Sequence, residues 1–349
     1  MDVSADDLSA IRAAILTHYA QHRRDLCFRE ERTPYRALVA EVMLQQTRVE
    51  AALPYFERFV ACFPDPASLA AADEQEVLRL WQGLGYYRRA RNLRAAAIEV
   101  MRAHGGVIPG DPVALRRLPG VGPYIAAAVG SICFGHRVAS VDANVRRVLA
   151  RVFGILSPLG KPATERRLRE LAEALLPPEG AGQWNEALME FGATVCRPVD
   201  PGCDDCSLAP YCRARAQGLE RRIPLRPSKT PKPVEAIVSL VVADRKDRLF
   251  LVRRPDTGLL AGLWEVPTFA DVQGDPMCAA EARYGIRLTW QKHVGQFTAV
   301  FSHRVWSVQV VRGQGTAPDR TDAGWFSEEQ IRMLPLSGPA VRAITLAAG

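Results

Sequence analysis

The sequence predicts a mainly α N-terminal part joined to a smaller α+β domain. Three observations carry that expectation. Apolar residues recur at three- and four-residue spacing through the first two-thirds, short β-rich runs fill the last third, and a basic, Pro-rich stretch lies between them. At 349 residues the chain is too long for one small core, so two domains are the natural division.

The helical periodicity covers 6–22, 35–47, 49–61, 86–104, 123–134, 142–153, 162–176 and 183–193, and breaks at Pro64-Asp65-Pro66, Gly83-Leu84-Gly85, Gly105-Gly106, Pro158 and Pro177-Pro178. Residues 218–234, GLERRIPLRPSKTPKPV, read as an extended linker with no core of its own. Beyond it, 236–242, 249–252, 305–311 and 324–326 read as strands, and helical patterns return at 276–284 and 338–347. The expected organisation is thus a helical domain at 1–217, a linker at 218–234 and an α+β domain at 235–349.

Composition, 48% hydrophobic and 24% charged, is that of a soluble globular protein. No apolar run approaches the roughly 18 residues that span a bilayer, and the acidic start MDVSADDLSA lacks the basic region of a secretory signal. A cytoplasmic location, with no membrane partner, is expected. The net charge of +7 suits a polyanionic partner, though five lysines against forty arginines points first to codon bias.

Eight cysteines in such a compartment do not suggest disulfides. Cys27, Cys62, Cys133 and Cys278 are scattered and read as ordinary buried residues. Cys196, Cys203, Cys206 and Cys212 fall within seventeen residues and can surround one centre with soft ligands. From spacing alone, zinc and an iron–sulfur cluster fit equally well.

Two further features stand out. Leu118-Pro-Gly-Val-Gly-Pro-Tyr124 joins two helical patterns; Gly120 and Gly122 permit a tight turn, and the N–H groups opening the next helix suit a phosphate oxygen. Twenty residues after Gly122 comes Asp142, which is either a helix N-cap or a carboxylate held at a cleft edge. The second feature is Glu41, inside the otherwise apolar run Ala37–Leu44. At about 100° per residue it shares a helical face with Ala37, Leu38 and Leu44, then with Gln45 and Arg48. Apolar neighbours raise a carboxyl's pKa, which is what a proton donor near neutral pH requires.

Together the hairpin, Asp142 and the four-cysteine loop resemble the helix–hairpin–helix DNA glycosylase superfamily of the endonuclease III type, over about residues 10–215. Within it, TPYRALVAEVMLQQTRVE, GLGYYRRARNL and WNEALMEFGA resemble the MutY-type adenine DNA glycosylases. GLLAGLWEVP at 258–267 and Phe301-Ser302-His303 are similar to that branch's Nudix-like 8-oxoguanine-reading domain. A working Nudix hydrolase needs a helix with clustered glutamates, and Met277–Ile286 carries only Glu281, so a reader is expected there.

The resemblance implies a two-lobed helical glycosylase with a 4Fe–4S cluster on Cys196, Cys203, Cys206 and Cys212, and an alkali or alkaline-earth ion at the hairpin carbonyls. Its implied partner is double-stranded DNA with adenine opposite 8-oxoguanine or guanine, bound by a monomer, with Gly120, Val121 and Gly122 on the DNA backbone. Glu41 is implied to protonate N7 of the flipped adenine, and Asp142 to stabilise the oxocarbenium ion or bond to it briefly. Tyr124 and Asn144 match supporting positions, Arg29 and Glu186 match contacts to the base, and Gln46, Leu84 and Tyr86 match residues that wedge the opened duplex. Phe301, Ser302 and His303 match the reading segment.

Bifunctional relatives carry a lysine where Tyr124 stands, and a Schiff base needs an amine. Base removal without efficient strand cleavage is therefore expected. Before Arg29 the family pattern is Pro-Trp, whereas this chain has Cys27-Phe28, a smaller stacking surface without the indole donor. Rival readings are a pyrimidine glycosylase of the endonuclease III type, a non-catalytic iron–sulfur DNA-binding protein, and a Nudix hydrolase with a helical appendage. The missing lysine, the pair Glu41 and Asp142, and the absent glutamate cluster count against them in turn.

Overall fold

The computed structural model describes residues 4–225, 230–270 and 276–348. It divides into two compact units, Met1–Ala71 with Asn92–Lys229, and Ala72–Arg91 with Thr230–Gly349. A helical part and an α+β part are both present, as expected. The division differs from the one expected, because residues 72–91 group with the C-terminal part. Side chains of this segment bond to backbone groups near residues 256–262 and 336, a long-range match that no local pattern records.

The helices run, in chain order, α1 (Ala5–His22), α2 (Cys27–Glu30), α3 (Pro34–Leu44), α4 (Val49–Cys62), α5 (Pro66–Ala71), α6 (Glu74–Trp81), α7 (Arg88–His104), α8 (Pro112–Arg117), α9 (Pro123–Phe134), α10 (Ala143–Val152), α11 (Pro162–Ala174), α12 (Ala181–Thr194) and α13 (Arg213–Ala216). Short α5, α6 and α8 lie outside the predicted spans, since one or two turns carry too few apolar repeats. The predicted helix 35–47 stops at Leu44, because Gln46 turns into the left-handed region at φ 58°. Gln45 and Arg48 therefore do not continue the helical face of Glu41. Likewise α7 begins at Arg88 and not at 86, after Tyr86 takes φ 49°.

In the helical unit α12 is the central element, packing on α1, α9 and α10. Ile11, Ile15, Val148, Leu149, Leu168, Leu171, Trp184, Leu188 and Phe191 form its core. Gly182 and Gly192 allow the close approach. A Cβ on Gly182 would sit 2.5 Å from the Ser131 carbonyl oxygen of α9, and one on Gly192 would sit 2.7 Å from Asn144 Cβ of α10. The predicted linker needs correction at its start. Ile223 is buried and Leu219 packs on the helical core, while the Ile223 carbonyl accepts from Arg151 Nε at 2.9 Å. Residues 226–229 of that stretch lie outside the described residues. Of the scattered cysteines, Cys62 and Cys278 are exposed and not buried; each lies on a solvent-facing part of its helix.

The other unit is built on strands β1 (Val234–Ala243), β2 (Leu249–Arg253), β3 (Trp264–Glu265), β4 (Thr268–Ala270), β5 (Arg287–Val300), β6 (Val305–Thr316) and β7 (Ala323–Phe326), with helices α14 (Pro276–Tyr284), α15 (Glu328–Arg332) and α16 (Gly338–Ala348). The sheet order is β3-β2-β1-β6-β5, with β4 on β1 and β7 on β2; β1 and β6 are parallel and the other pairs antiparallel. Side chains alternate between its faces. Ile237, Val241, Trp306, Val308 and Val310 pack with Ala343 and Ala347 of α16, while Leu240, Val242 and Phe250 pack with Ala280 and Tyr284 of α14. Strand β5 escapes the sequence reading because much of it is polar and exposed, including Gln291, Lys292 and His293, so alternation is lost. Glu281, the one glutamate of α14, pairs with Arg287 at 3.2 Å.

Gly182→Ala should lower the stability of the helical unit. The helix gains about 1 kcal/mol in propensity, but overpacking against backbone costs about 1–3 kcal/mol, and neither helix can give way without opening the core. A urea midpoint equal to or above that of the parent would show that α9 and α12 can part freely.

Candidate active site

One pocket of the helical unit collects residues from five separated stretches of chain. Arg24, Phe28 and Arg29 come from around α2, Glu41 from α3, Tyr124 from α9, Asp142 and Asn144 from the start of α10, and Glu186 and Glu190 from α12. It thus unites Glu41, Asp142, Tyr124, Asn144, Arg29, Phe28 and Glu186.

Each side chain has a local reason for its place. Thr33 caps α3 through Arg36 N–H and Pro34 opens the helix, which puts Glu41 on its buried face, 8% exposed. The hairpin turn, with Gly120 at φ 77°, ends at Gly122, the N-cap of α9; Tyr124 follows in the first turn. A Cβ on Gly120 would meet Asn92 Cβ at 2.7 Å, so both conformation and space demand glycine. Asp142 fulfils both of its sequence readings. Its Oδ1 accepts from Val145 N–H at 2.7 Å as the N-cap of α10, and its carboxylate also lines the pocket.

Three residues that sequence reasoning missed hold this geometry. Buried Asn185 donates to Ser131 Oγ and the Val138 carbonyl, each at 2.9 Å, and accepts from Ser140 N–H at 3.0 Å, fixing the stretch that leads to Asp142. Arg147 donates to Asn144 Oδ1 at 2.8 Å, to the Gly192 carbonyl at 2.8 Å and to the Cys196 carbonyl at 2.7 Å. Asn144 in turn donates to Asp142 Oδ2 at 2.8 Å. Glu190, 3% exposed, accepts a bidentate pair from Arg24 at 2.8 and 3.1 Å and a third bond from Arg29 at 2.9 Å. Asn185 and Glu190 both lie within WNEALMEFGA, but no spacing rule separates them from ordinary helix residues.

The electrostatics separate the acids by surroundings. Glu41 is raised to about 7 by burial, with Asp142 and Glu186 adding to the effect; Tyr124, whose hydroxyl donates to Oε2 at 2.5 Å, and Arg29 oppose it. Asp142 is also raised by burial, held back by the N–H of Val145 and by Asn144 and Arg147. Burial pushes Glu190 up, but Arg24 and Arg29 outweigh it and leave Glu190 lowered and ionised. The pocket therefore contains one carboxyl poised to hold a proton near neutral pH, Glu41, and one stabilised as an anion, Glu190. Glu186 bonds Arg32 at 3.0 Å and stands 3.9 Å from Arg29 Nε, which among the described residues has no hydrogen-bond partner.

The remaining predicted residues lie outside this pocket. Gln46 is exposed on the turn after α3. Tyr86 is 51% exposed, whereas Leu84 is only 8% exposed and packs inward. Phe301, Ser302 and His303 form the β5–β6 turn, closed by Phe301 N–H to the Arg304 carbonyl at 2.9 Å, with Ser302 Oγ 3.3 Å from His303 Nδ1. Cys196, Cys203, Cys206 and Cys212 line one small cavity together with Arg151. Buried Arg151 donates to Cys196 Sγ at 3.3 Å and to the Arg197 carbonyl at 2.7 Å, which fixes the loop where it leaves α12.

Glu41 makes stability depend on pH with a definite sign. Its folded pKa, about 7, lies above the ordinary 4.5, so its contribution is full below pH 4.5 and is lost as pH rises to about 7. The ionised form costs on the order of 3 kcal/mol. Glu41→Gln should therefore melt above the parent at pH 8, by a margin that narrows toward pH 5. Equal differences at both pH values would mean that Glu41 is not desolvated.

Comparison with known proteins gives the family. Residues 39–174 match the HhH-GPD superfamily of base excision DNA repair proteins, and residues 238–346 match the NUDIX domain. The adenine DNA glycosylase of Homo sapiens is 31% identical over 95% of this chain and 72% of its own length; that of Rattus norvegicus is 33% identical over 95% and 76%. Among solved structures, a thermostable thymine-DNA glycosylase is 30% identical and superposes with a TM-score of 0.56, covering 62% of this chain and all of that one. With the paired carboxyls and the hairpin in one helical unit and a NUDIX fold in the other, the chain belongs to the adenine DNA glycosylase family of HhH-GPD base-excision repair enzymes.

Proposed function

We propose that this enzyme removes adenine opposite 8-oxoguanine or guanine in duplex DNA, by acid-catalysed cleavage of the N-glycosidic bond. The observation that carries the reading is the buried Glu41 carboxyl, raised to about 7 and lining the same pocket as Asp142. Adenine is a poor leaving group until its ring is protonated. A carboxyl that keeps its proton near neutral pH supplies that proton at N7, and the Tyr124 hydroxyl steadies the carboxylate left behind. Asp142, oriented by Val145 N–H and Asn144, faces the positive charge that develops on the sugar. The spare Arg29 Nε–H and the adjacent Glu186 offer a donor and an acceptor to the flipped base, and Phe28 offers a face for stacking. The first turn of α9 holds Tyr124 where a lyase would need an amine, which supports removal of the base without efficient strand cleavage. The exposed Phe301-Ser302-His303 turn is the proposed reader of the opposite base.

We also propose a 4Fe–4S cluster on Cys196, Cys203, Cys206 and Cys212. Support comes from the single cavity that the four share and from Arg151, a fixed cation against Cys196 Sγ. Among the described residues no group of three or more His, Cys, Asp or Glu is set to hold a metal ion, so the shared cavity and not a preformed ligand set is the relevant observation. When bound, the cluster would fix the loop 196–212 and its arginines; the residues acting on adenine do so without it.

Single-turnover adenine release tests the reading. Rates should rank 8-oxoguanine:A and G:A duplexes above T:A, and Asp142→Asn should cut release at least about 100-fold while binding persists. The rate should fall above about pH 7 as Glu41 loses its proton. Release without preference among the three duplexes would sink the proposal. Metal analysis of anaerobically purified protein should find about four irons per chain; zinc in their place would overturn the cluster assignment.

A further inference from the structure

We infer that the segment 72–91 is clamped to the Nudix-like domain so that the reader of the opposite base and the duplex-opening loop act as one body, with Arg91, Gln75 and Gln82 as the positioning residues. The inference rests on the proposed reading of adenine opposite 8-oxoguanine, and adds to it a route by which the opposite base governs opening.

The loop itself is built to present one aromatic ring. Gly83 and Gly85 take φ 105° and 70°, and Tyr86 follows in the left-handed region at 49°, uncommon for a bulky residue. Tyr86 is half exposed while Leu84 is tucked inside. Buried Arg89 donates to the carbonyls of Leu84 and Gly85 at 3.2 and 3.1 Å, and its guanidinium lies over the rings of Trp81 and Tyr86 at 5.3 and 5.6 Å. Trp81 Nε1 donates to the same Gly85 carbonyl at 3.1 Å. A strained turn stapled this thoroughly holds its exposed ring in one orientation.

The same segment is fastened to the Nudix-like fold. Arg91 donates to the carbonyls of Asp256 and Ala261 at 3.1 and 2.6 Å and pairs with Glu74 at 3.2 Å. Gln75 donates to the Gly262 carbonyl at 3.1 Å and accepts from Trp264 Nε1 at 3.0 Å. Gln82 accepts from Leu336 N–H at 3.1 Å. Gly262, at φ 67°, leaves no room for a side chain, since a Cβ would fall 2.0 Å from the Arg91 guanidinium. From this clamp to the reader the contacts are continuous. Arg254 staples the loop by donating to the Leu259 carbonyl at 2.8 Å and lies 5.9 Å over the Trp306 ring, which meets Phe301 edge-on at 4.8 Å.

A reader that grips 8-oxoguanine then steadies the body that also carries Tyr86, and the wedge is helped into the duplex. Against guanine the grip is weaker, and the clamp has less to transmit. The measured quantity is the ratio of single-turnover rates on 8-oxoguanine:A and G:A duplexes. Arg91→Ala, from one side of the clamp, and Gly262→Ala, from the other, should each lower the ratio about 5-fold or more, mainly through the 8-oxoguanine rate. The double variant should lose little more than either alone, and Arg91→Lys should recover part of the loss. A fault of folding alone lowers the active fraction and both rates together, so an unchanged ratio overturns the coupling. Ser302→Ala separates the two levels. If it leaves the ratio intact, the reader assignment fails; if it collapses the ratio and the clamp variants do not, only the coupling fails.

Discussion

The site depends on how closely α12 approaches α9 and α10. Gly182 and Gly192 remove the side chains that would hold those helices apart. That approach brings Glu186 and Glu190 to the pocket wall, and lets Asn185 and the Gly192 carbonyl fix the two supports of Asp142. A carboxylate at a helix N-cap is oriented by backbone, but its direction into a pocket is set by what packs behind it. Here Arg147 and Asn144 supply that backing, Arg147 holding Asn144 and Asn144 holding Asp142.

Within that frame the same residue type performs opposite tasks. Glu41 is given apolar neighbours and one hydroxyl, and keeps its proton. Glu190 is given two guanidinium groups and loses it. The difference does not require different side chains, because desolvation and ion pairing act with opposite sign on the charged form. An ionised Glu190 also keeps Arg24 and Arg29 from scattering into solvent at the mouth of the pocket.

The second unit shows a different use of tertiary structure. Its mixed sheet is covered on both faces, by α16 on one and α14 on the other, and the one glutamate of α14 is engaged with an arginine. It also takes in residues 72–91, a piece of the chain that sequence order assigns to the helical domain. Except for Trp264 Nε1 to Gln75, the docking bonds run from side chains to backbone carbonyls and N–H groups. Such contacts read the path of the partner chain and not its composition.

Much of this was legible from residues alone. Helical periodicity located the long helices, alternation located β1, β2, β6 and β7, and the glycines of 118–124 marked the hairpin. The resemblance that those motifs support named Glu41, Asp142, Tyr124, Asn144, Arg29, Phe28 and Glu186, and one pocket holds them all. The misses share a cause. The polar strand β5 has no apolar alternation, α5, α6 and α8 are too short to show a period, and Leu219 and Ile223 carry no sign that they belong to the helical core. Asn185, Arg147 and Glu190 act through bonds that span from 3 to 166 residues, and Leu84 differs from Tyr86 only in which way a strained turn points it. The sequence by itself determined the long helices, four of the strands, the family and the chemical groups, because these follow from local spacing and residue type. Only the tertiary structure decided which carboxyl keeps its proton, what holds Asp142 and where one unit ends, because each depends on the sum of distant neighbours that packing brings within a few ångströms.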